Sequence, residues 1–152
     1  MRLRNESLPR VATALGLAGL LPFCAAPLLI YLDPGRGDYY VTLIASYTLA
    51  IICFLVGSWW GVALIRRSSR ALLASNAVVI VAFFGHALLP TPAFLLLCAA
   101  LYPATVLVER RARIFQAQPP YYARLRLQLT AVATVSLLLT AALLSRSPHV
   151  EI

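Results

Sequence analysis

The sequence predicts an all-α integral membrane protein, a five-transmembrane-helix bundle that forms one domain over residues 1–152. Five apolar runs of 18 to 25 residues contain no Asp, Glu, Lys or Arg. A helix of that length spans the roughly 30 Å hydrocarbon core of a bilayer and satisfies its own backbone hydrogen bonds there. The hydrophobic content of 61% is also too high for an ordinary soluble domain. The predicted spans are 11–32, 41–65, 71–89, 91–108 and 127–144.

The first run follows several arginines and could be mistaken for a secretory signal peptide. It is 22 residues long, which exceeds the usual apolar region of such a peptide, and four more runs follow. Cys24 is preceded by Pro22 and Phe23, and so lacks the small residue that a lipoprotein cleavage site needs. We therefore expect the first helix to be retained.

The gaps between the runs define the turns. The segment 33–38 is rich in Pro, Gly and Asp and predicts a short outer turn, and the segment 65–71 predicts a tight basic turn. The sequence Pro90-Thr91-Pro92 must reverse the chain, so the third and fourth helices should form a hairpin. The long gap 109–126 is predicted to be a loop, in which Pro119-Pro120 breaks any helix and Tyr121-Tyr122 lie at headgroup level.

The distribution of charge predicts the orientation. All 13 basic residues are arginines, and the net charge is +8. Eleven arginines and two glutamates fall on one side of the predicted bundle, whereas two arginines and three acidic residues fall on the other. By the positive-inside rule the N-terminus lies in the cytoplasm and the C-terminus outside, as in a multi-pass protein of the cell inner membrane. The arginine loops are expected to contact anionic lipid headgroups and not nucleic acid, and the absence of lysine fits a GC-rich bacterial genome.

Small residues in the first two runs predict helix packing, because close approach through small side chains is how helices associate in lipid. Gly16 and Gly19 lie on one side of the first helix, and Gly57 and Gly61 form a GxxxG pattern in the second. We expect these two faces to pack on each other, with homo-oligomerisation through Gly57 and Gly61 as the alternative. Cys24, Cys53 and Cys98 lack CxxC spacing and are expected to serve packing.

Four segments of the chain together resemble a known family. They are Leu15–Phe23 (LGLAGLLPF), Phe54–Gly61 (FLVGSWWG), Asn76 and Tyr122–Arg126 (YARLR). In this order they are similar to the bacterial family called domain of unknown function 3429, which also takes in eukaryotic transmembrane protein 69. The resemblance covers nearly the whole chain, and its most specific elements are LGLxGLxPF and GxxWG. It implies a small multi-spanning membrane protein and no particular mechanism.

A polar cluster is expected near the cytoplasmic end of the bundle. Two interpretations stay open: an aromatic belt with interhelical hydrogen bonds, or a cavity that opens inward and takes an amphipathic molecule with an anionic head, such as a phospholipid or a lipid precursor. Trp59 and Trp60 differ by about 100° around a helix, so at most one can point into a cavity, and the GxxWG resemblance favours Trp60. The candidate ligand-binding residues are Ser58, Trp60, Arg66, Asn76, Tyr102 and Arg124.

The predicted spans offer little for catalysis. His86 is the only side chain inside a predicted span that titrates near neutral pH, and it lies close to the outer interface. No second His, Asp or Glu lies within a predicted span to form a metal site or a proton path, so we expect neither a metal nor a cofactor.

The sequence therefore favours a non-enzymatic accessory or scaffold component of the membrane, with a protein partner or a homo-oligomer as its mode of action. The alternative is a binder or carrier of a lipid-like amphipathic molecule, which would use a cytoplasm-facing pocket.

Overall fold

The computed structural model describes residues 7–112 and 119–146, and within them every regular element is helical. Five segments are long and apolar enough to cross a membrane, which agrees with the five predicted spans. They are connected in series, so successive segments run in opposite directions. The helices are α1 Ser7–Ala18, α2 Leu21–Leu32, α3 Gly37–Arg66, α4 Ser69–Leu88, α5 Thr91–Arg111 and α6 Pro120–Arg146, with a 3-10 turn at Pro34–Arg36.

The first predicted span is two helices, not one, although together they form a single candidate crossing, Leu8–Leu32. The break falls at Gly19 and Leu20. Pro22 near the start of α2 has no N–H, so a continuous helix would lose a hydrogen bond there. The hydroxyl of Tyr47 on α3 donates to the carbonyl oxygen of Gly19 over 2.9 Å, which satisfies a backbone group at the break.

The turn between α3 and α4 is tight, as predicted. Arg67 ends α3 in the left-handed conformation with φ of 51°, and the N–H of Ser68 returns to the carbonyl of Ala63 over 2.9 Å. Such a return bond closes many helix C-termini. Ser68 then caps α4, because its hydroxyl oxygen accepts from the backbone N–H of Ala71.

The predicted hairpin of the third and fourth spans is also present, between α4 and α5. Gly85 allows the two helices to approach closely, since a Cβ there would lie 2.5 Å from Leu97 Cδ2. The imidazole of His86 packs edge-on against the ring of Phe94, with ring centroids 5.0 Å apart.

The prediction of a loop over 109–126 was wrong at both ends. Helix α5 continues to Arg111, and α6 starts at Pro120. Proline is compatible with the first turn of a helix, where its missing N–H would have no intrahelical partner. Residues 113–118 lie outside the described part. The consequence is that Glu109 and Arg126, expected in a solvated loop, belong to helices.

The predicted packing of the first two spans through their glycines was wrong for Gly16, Gly57 and Gly61, whereas Gly19 does contact the second span through the hydroxyl of Tyr47. Gly16 faces α6, where an added Cβ would lie 2.8 Å from Leu129 Cδ1. Gly57 and Gly61 are exposed on α3, and no described side chain lies within 4 Å of a Cβ added at either. Helix α2, in contrast, packs against both α3 and α6 through a core that includes the buried Phe23.

Candidate functional site

A buried polar network connects α3, α5 and α6. Its five members are joined by one continuous set of hydrogen bonds. They are Trp59, Thr105, Glu109, Arg126 and Thr130.

The guanidinium of Arg126 is the centre of this network. Its Nε lies 3.2 Å from Glu109 Oε2, and its Nη2 lies 3.4 Å from Glu109 Oε1. Nη2 also donates to the hydroxyl of Thr105 over 2.9 Å, and Nη1 donates to the hydroxyl of Thr130 over 3.1 Å. These bonds engage four of the five N–H groups of a guanidinium. The side chain of Arg126 is only 6% exposed and that of Glu109 only 10%.

Trp59 on α3 is hydrogen-bonded to the carboxylate of Glu109. The indole Nε1 donates to Glu109 Oε1 over 2.9 Å, and Trp59 is 1% exposed. Because Trp59 precedes the α3–α4 turn by about two helical turns, this contact brings the end of α5 to the same end of the bundle as that turn. We call this the arginine-bearing end, since the exposed arginines there include Arg66, Arg67, Arg70, Arg110, Arg111 and Arg124.

The energetics of this network are those of a buried ion pair. One carboxylate and one guanidinium leave the network formally neutral. An ordinary hydrogen bond between membrane helices contributes about 0.6 kcal/mol. Removal of one partner of a buried pair costs about 3–5 kcal/mol, because the other charge is left without compensation. The network is therefore expected to fix the relative positions of α3, α5 and α6.

The polar cluster expected from the sequence at this end of the bundle includes Trp59, Thr105 and Thr130 but not Glu109 and Arg126, because the apolar runs end where the charged residues begin. A signal was nevertheless present: Thr105 and Glu109 are four residues apart, as are Arg126 and Thr130, and residues at this spacing share one face of a helix. That pattern would have favoured continuous helices with inward-facing polar ends.

A cavity of about 360 Å³ lies beside the network. Its size is at the lower end of the range typical of small-molecule sites. Most of its wall is apolar, and the polar side chains in it are those of Tyr102, Tyr122, Arg126 and Thr130. The lining residues are Ala12, Leu15, Gly16, Gly19, Leu20, Phe23, Ile51, Phe54, Leu55, Tyr102, Tyr122, Leu125, Arg126, Leu129, Thr130 and Ala133.

The cavity is partly open, and the exposed residues of its wall lie on α1 and α3. Helix α1 packs against α6 and makes no comparable contact with α3, so these two helices do not close over the cavity. Leu15 on α1 is 68% exposed and Phe54 on α3 is 74% exposed, and both belong to the cavity wall. In a membrane, an opening between two spanning segments faces the lipid.

Tyr102 is the one predicted ligand-binding residue that lines this cavity. It is buried, and its hydroxyl donates to the carbonyl of Thr48 on α3 over 3.2 Å. The ring also packs edge-on against Phe23, with centroids 6.0 Å apart. Tyr102 thus contributes both to the cavity and to the contact of α5 with α2 and α3.

The other predicted ligand-binding residues do not come together in a pocket. Trp60 is 44% exposed, and Ser58 and Asn76 are also exposed. Their polar groups donate to carbonyls of their own helices, Ser58 to Leu55 over 2.6 Å and Asn76 to Leu72 over 2.8 Å. The prediction that Trp60 points inward was therefore wrong, and Trp59 is the buried tryptophan. Two further candidates, Arg66 and Arg124, are exposed at the arginine-bearing end.

No group of three or more His, Cys, Asp or Glu side chains suited to a metal ion occurs within residues 7–112 and 119–146. His86 on α4 is half-buried against the ring of Phe94 and is not part of the cavity wall. Among the cysteines, Cys98 is buried, Cys53 is half-buried and Cys24 is exposed.

These features define a small polytopic helical protein with the helix lengths and hydropathy of a multi-pass membrane protein. The chain belongs to the family described as Protein of unknown function (DUF3429), whose model matches residues 8–142. That range contains every residue of the polar network and of the cavity wall. Neither the curated proteins nor the solved structures contain a match to the chain.

Proposed function

We propose that this membrane protein binds a lipid-like amphipathic molecule in the cavity between α1, α3 and α6. The observation that carries the proposal is the composition of the cavity wall: it is mostly apolar, it includes a few polar side chains, and its most exposed residues, Leu15 and Phe54, lie on two different spanning segments. An apolar chain can enter such a site from the bilayer without crossing water. No catalytic step is part of the proposal.

The orientation in the proposal follows the positive-inside rule. The arginine-bearing end lies in the cytoplasm, and the membrane is the inner membrane of a bacterium. The exposed arginines there contact anionic headgroups of the surrounding lipid. This surface contact is separate from the cavity, whose wall includes none of the exposed arginines.

A cavity-filling substitution tests the proposal. We expect Ala12→Phe, which adds a ring on the cavity wall, to lower the amount of co-purified lipid-like ligand about tenfold, equivalent to about 1.4 kcal/mol of binding free energy. The measurement is quantitative mass spectrometry of extracts from protein purified in mild detergent, normalised to protein.

The matched control is Ala14→Phe, which places the same ring on the exposed side of the same helix, away from the cavity. It should leave the ligand content unchanged. Equal ligand content in Ala12→Phe, Ala14→Phe and the unaltered protein would contradict the proposal.

A second candidate function is the accessory or scaffold role, and the open face of α3 favours it. Gly57, Trp60 and Gly61 are exposed on this face, and a second helix could approach the two glycines closely. A second copy of the chain is the partner proposed for this face.

If that role is correct, Gly57→Leu combined with Gly61→Leu should convert a defined oligomer to monomer in sedimentation experiments in mild detergent, because the added side chains hold the partner helix away. Ala100→Leu, on the exposed side of α5, should leave the association state unchanged. A monomeric unaltered protein, or an oligomer that survives the double substitution, would argue against this candidate.

A further inference from the structure

We infer that the polar end of the cavity ligand is an uncharged hydroxyl group, as in a long-chain alcohol or an acylglycerol, and not a phosphate or carboxylate. This inference rests on the proposed function, because it concerns the ligand of the same cavity. It replaces the anionic head expected from the sequence, and three features of the polar network support it.

The first feature is that the positive charge in the cavity wall is already compensated. Arg126 lies against Glu109 with two N–O distances of 3.2 and 3.4 Å, and two threonine hydroxyls accept from two further N–H groups, so four of its five N–H groups are engaged. An anionic ligand that replaced Glu109 at the guanidinium would leave that carboxylate buried without its partner.

The second feature is the distance between the two charges. Any group within hydrogen-bond reach of the guanidinium also lies within a few ångströms of the carboxylate that the guanidinium contacts. In a site of low dielectric constant, the repulsion by Glu109 therefore offsets part of the attraction that Arg126 exerts on an anion. A cationic ligand would be repelled by Arg126, whereas a neutral dipole is repelled by neither charge.

The third feature is the set of polar groups on the cavity wall. Tyr102 uses its hydrogen on the carbonyl of Thr48, which leaves its oxygen as an acceptor. Tyr122 supplies a second phenol, and Thr130 supplies a hydroxyl that already accepts from Arg126. A ligand hydroxyl both donates and accepts, so it can pair with either an acceptor oxygen or a donor hydroxyl of this wall.

Anionic lipids have a binding surface outside the cavity, at the exposed arginines. Arg66, Arg110 and Arg124 lie on the surface, outside the cavity wall. They suit headgroups in the aqueous interface, where a charge need not be desolvated. The protein thus separates two lipid chemistries: anions at its arginine-bearing end and a neutral amphiphile inside.

Two photoactivatable probes test this inference on the full-length protein in neutral-lipid nanodiscs. Both carry the same diazirine-bearing saturated chain; one ends in a hydroxyl and the other in the sulfate ester of that hydroxyl. After irradiation, peptide mass spectrometry measures labelling of the cavity segments 12–20 and 122–133, and counts labelling at the surface arginines separately. We expect the alcohol to label the cavity segments about tenfold more than the sulfate, and an excess of unlabelled acylglycerol to suppress this labelling.

The outcomes separate the inference from the proposed function. Equal or stronger cavity labelling by the sulfate overturns the inference while the cavity still binds an amphiphile. Labelling of the cavity by neither probe above the level found in Ala12→Phe overturns the proposed function, and the inference with it. Preferential labelling by the alcohol that disappears in Ala12→Phe and persists in Ala14→Phe supports both.

Discussion

Glu109→Ala and Arg126→Ala should each lower the free energy of unfolding by about 3–5 kcal/mol. The reason is that each variant leaves one buried charge without its partner, while the side chains of both residues are almost inaccessible. Loss of Glu109 also removes the acceptor of the Trp59 indole. The measurement is unfolding by SDS in mixed micelles, followed by far-UV circular dichroism.

The double variant Glu109→Met/Arg126→Met distinguishes lost pairing from lost packing. Apolar residues of similar volume in place of both charges are often neutral or stabilising, so the double variant should be much more stable than either single alanine variant. Arg124→Ala is the control: it removes an exposed arginine from the same helix and should change the free energy of unfolding by no more than about 0.5 kcal/mol. Single variants as stable as this control would show that the charges are not paired in a dry interior.

The second large effect concerns the two adjacent tryptophans. Trp59→Ala should cost about 3–5 kcal/mol of unfolding free energy, because it empties a buried site and removes a hydrogen bond to Glu109. Trp60→Ala should lower the same quantity by less, about 1 kcal/mol at most, since Trp60 is 44% exposed against 1% for Trp59. The same unfolding experiment in mixed micelles measures both.

Trp59→Phe separates the two contributions to that loss. It keeps most of the ring in place but removes the indole N–H, so a cost of about 1–3 kcal/mol is expected from the carboxylate that loses a donor. If Trp60→Ala lowered the unfolding free energy more than Trp59→Ala, the assignment of Trp59 to the buried side of α3 would be wrong.

The network and the cavity share Arg126 and Thr130, so helix packing and ligand binding are expected to depend on each other. The ion pair holds the ends of α5 and α6 together, and α6 supplies one wall of the cavity. Substitutions in the network should therefore be tested for stability before any change in bound lipid is interpreted.

The sequence by itself determined the five spans, the tight turn at Arg67 and the α4–α5 hairpin. These follow from local causes: apolar runs of bilayer length, the need to satisfy every backbone group in lipid, and proline where the chain must turn. The resemblance to the family also rested on short motifs that stand in the sequence itself, and the match over residues 8–142 confirmed it.

Only the tertiary structure decided which side of each helix is buried. An almost uniformly apolar helix has no polar face that sets its rotation. The sequence therefore did not determine whether Trp59 or Trp60 is buried, or which of Gly16 and Gly57 contacts another helix. The break near Gly19 and the burial of Glu109 with Arg126 depend in the same way on partners distant along the chain. In lipid the hydrophobic effect does not distinguish one apolar face from another, and close packing with a few interhelical polar contacts makes that choice.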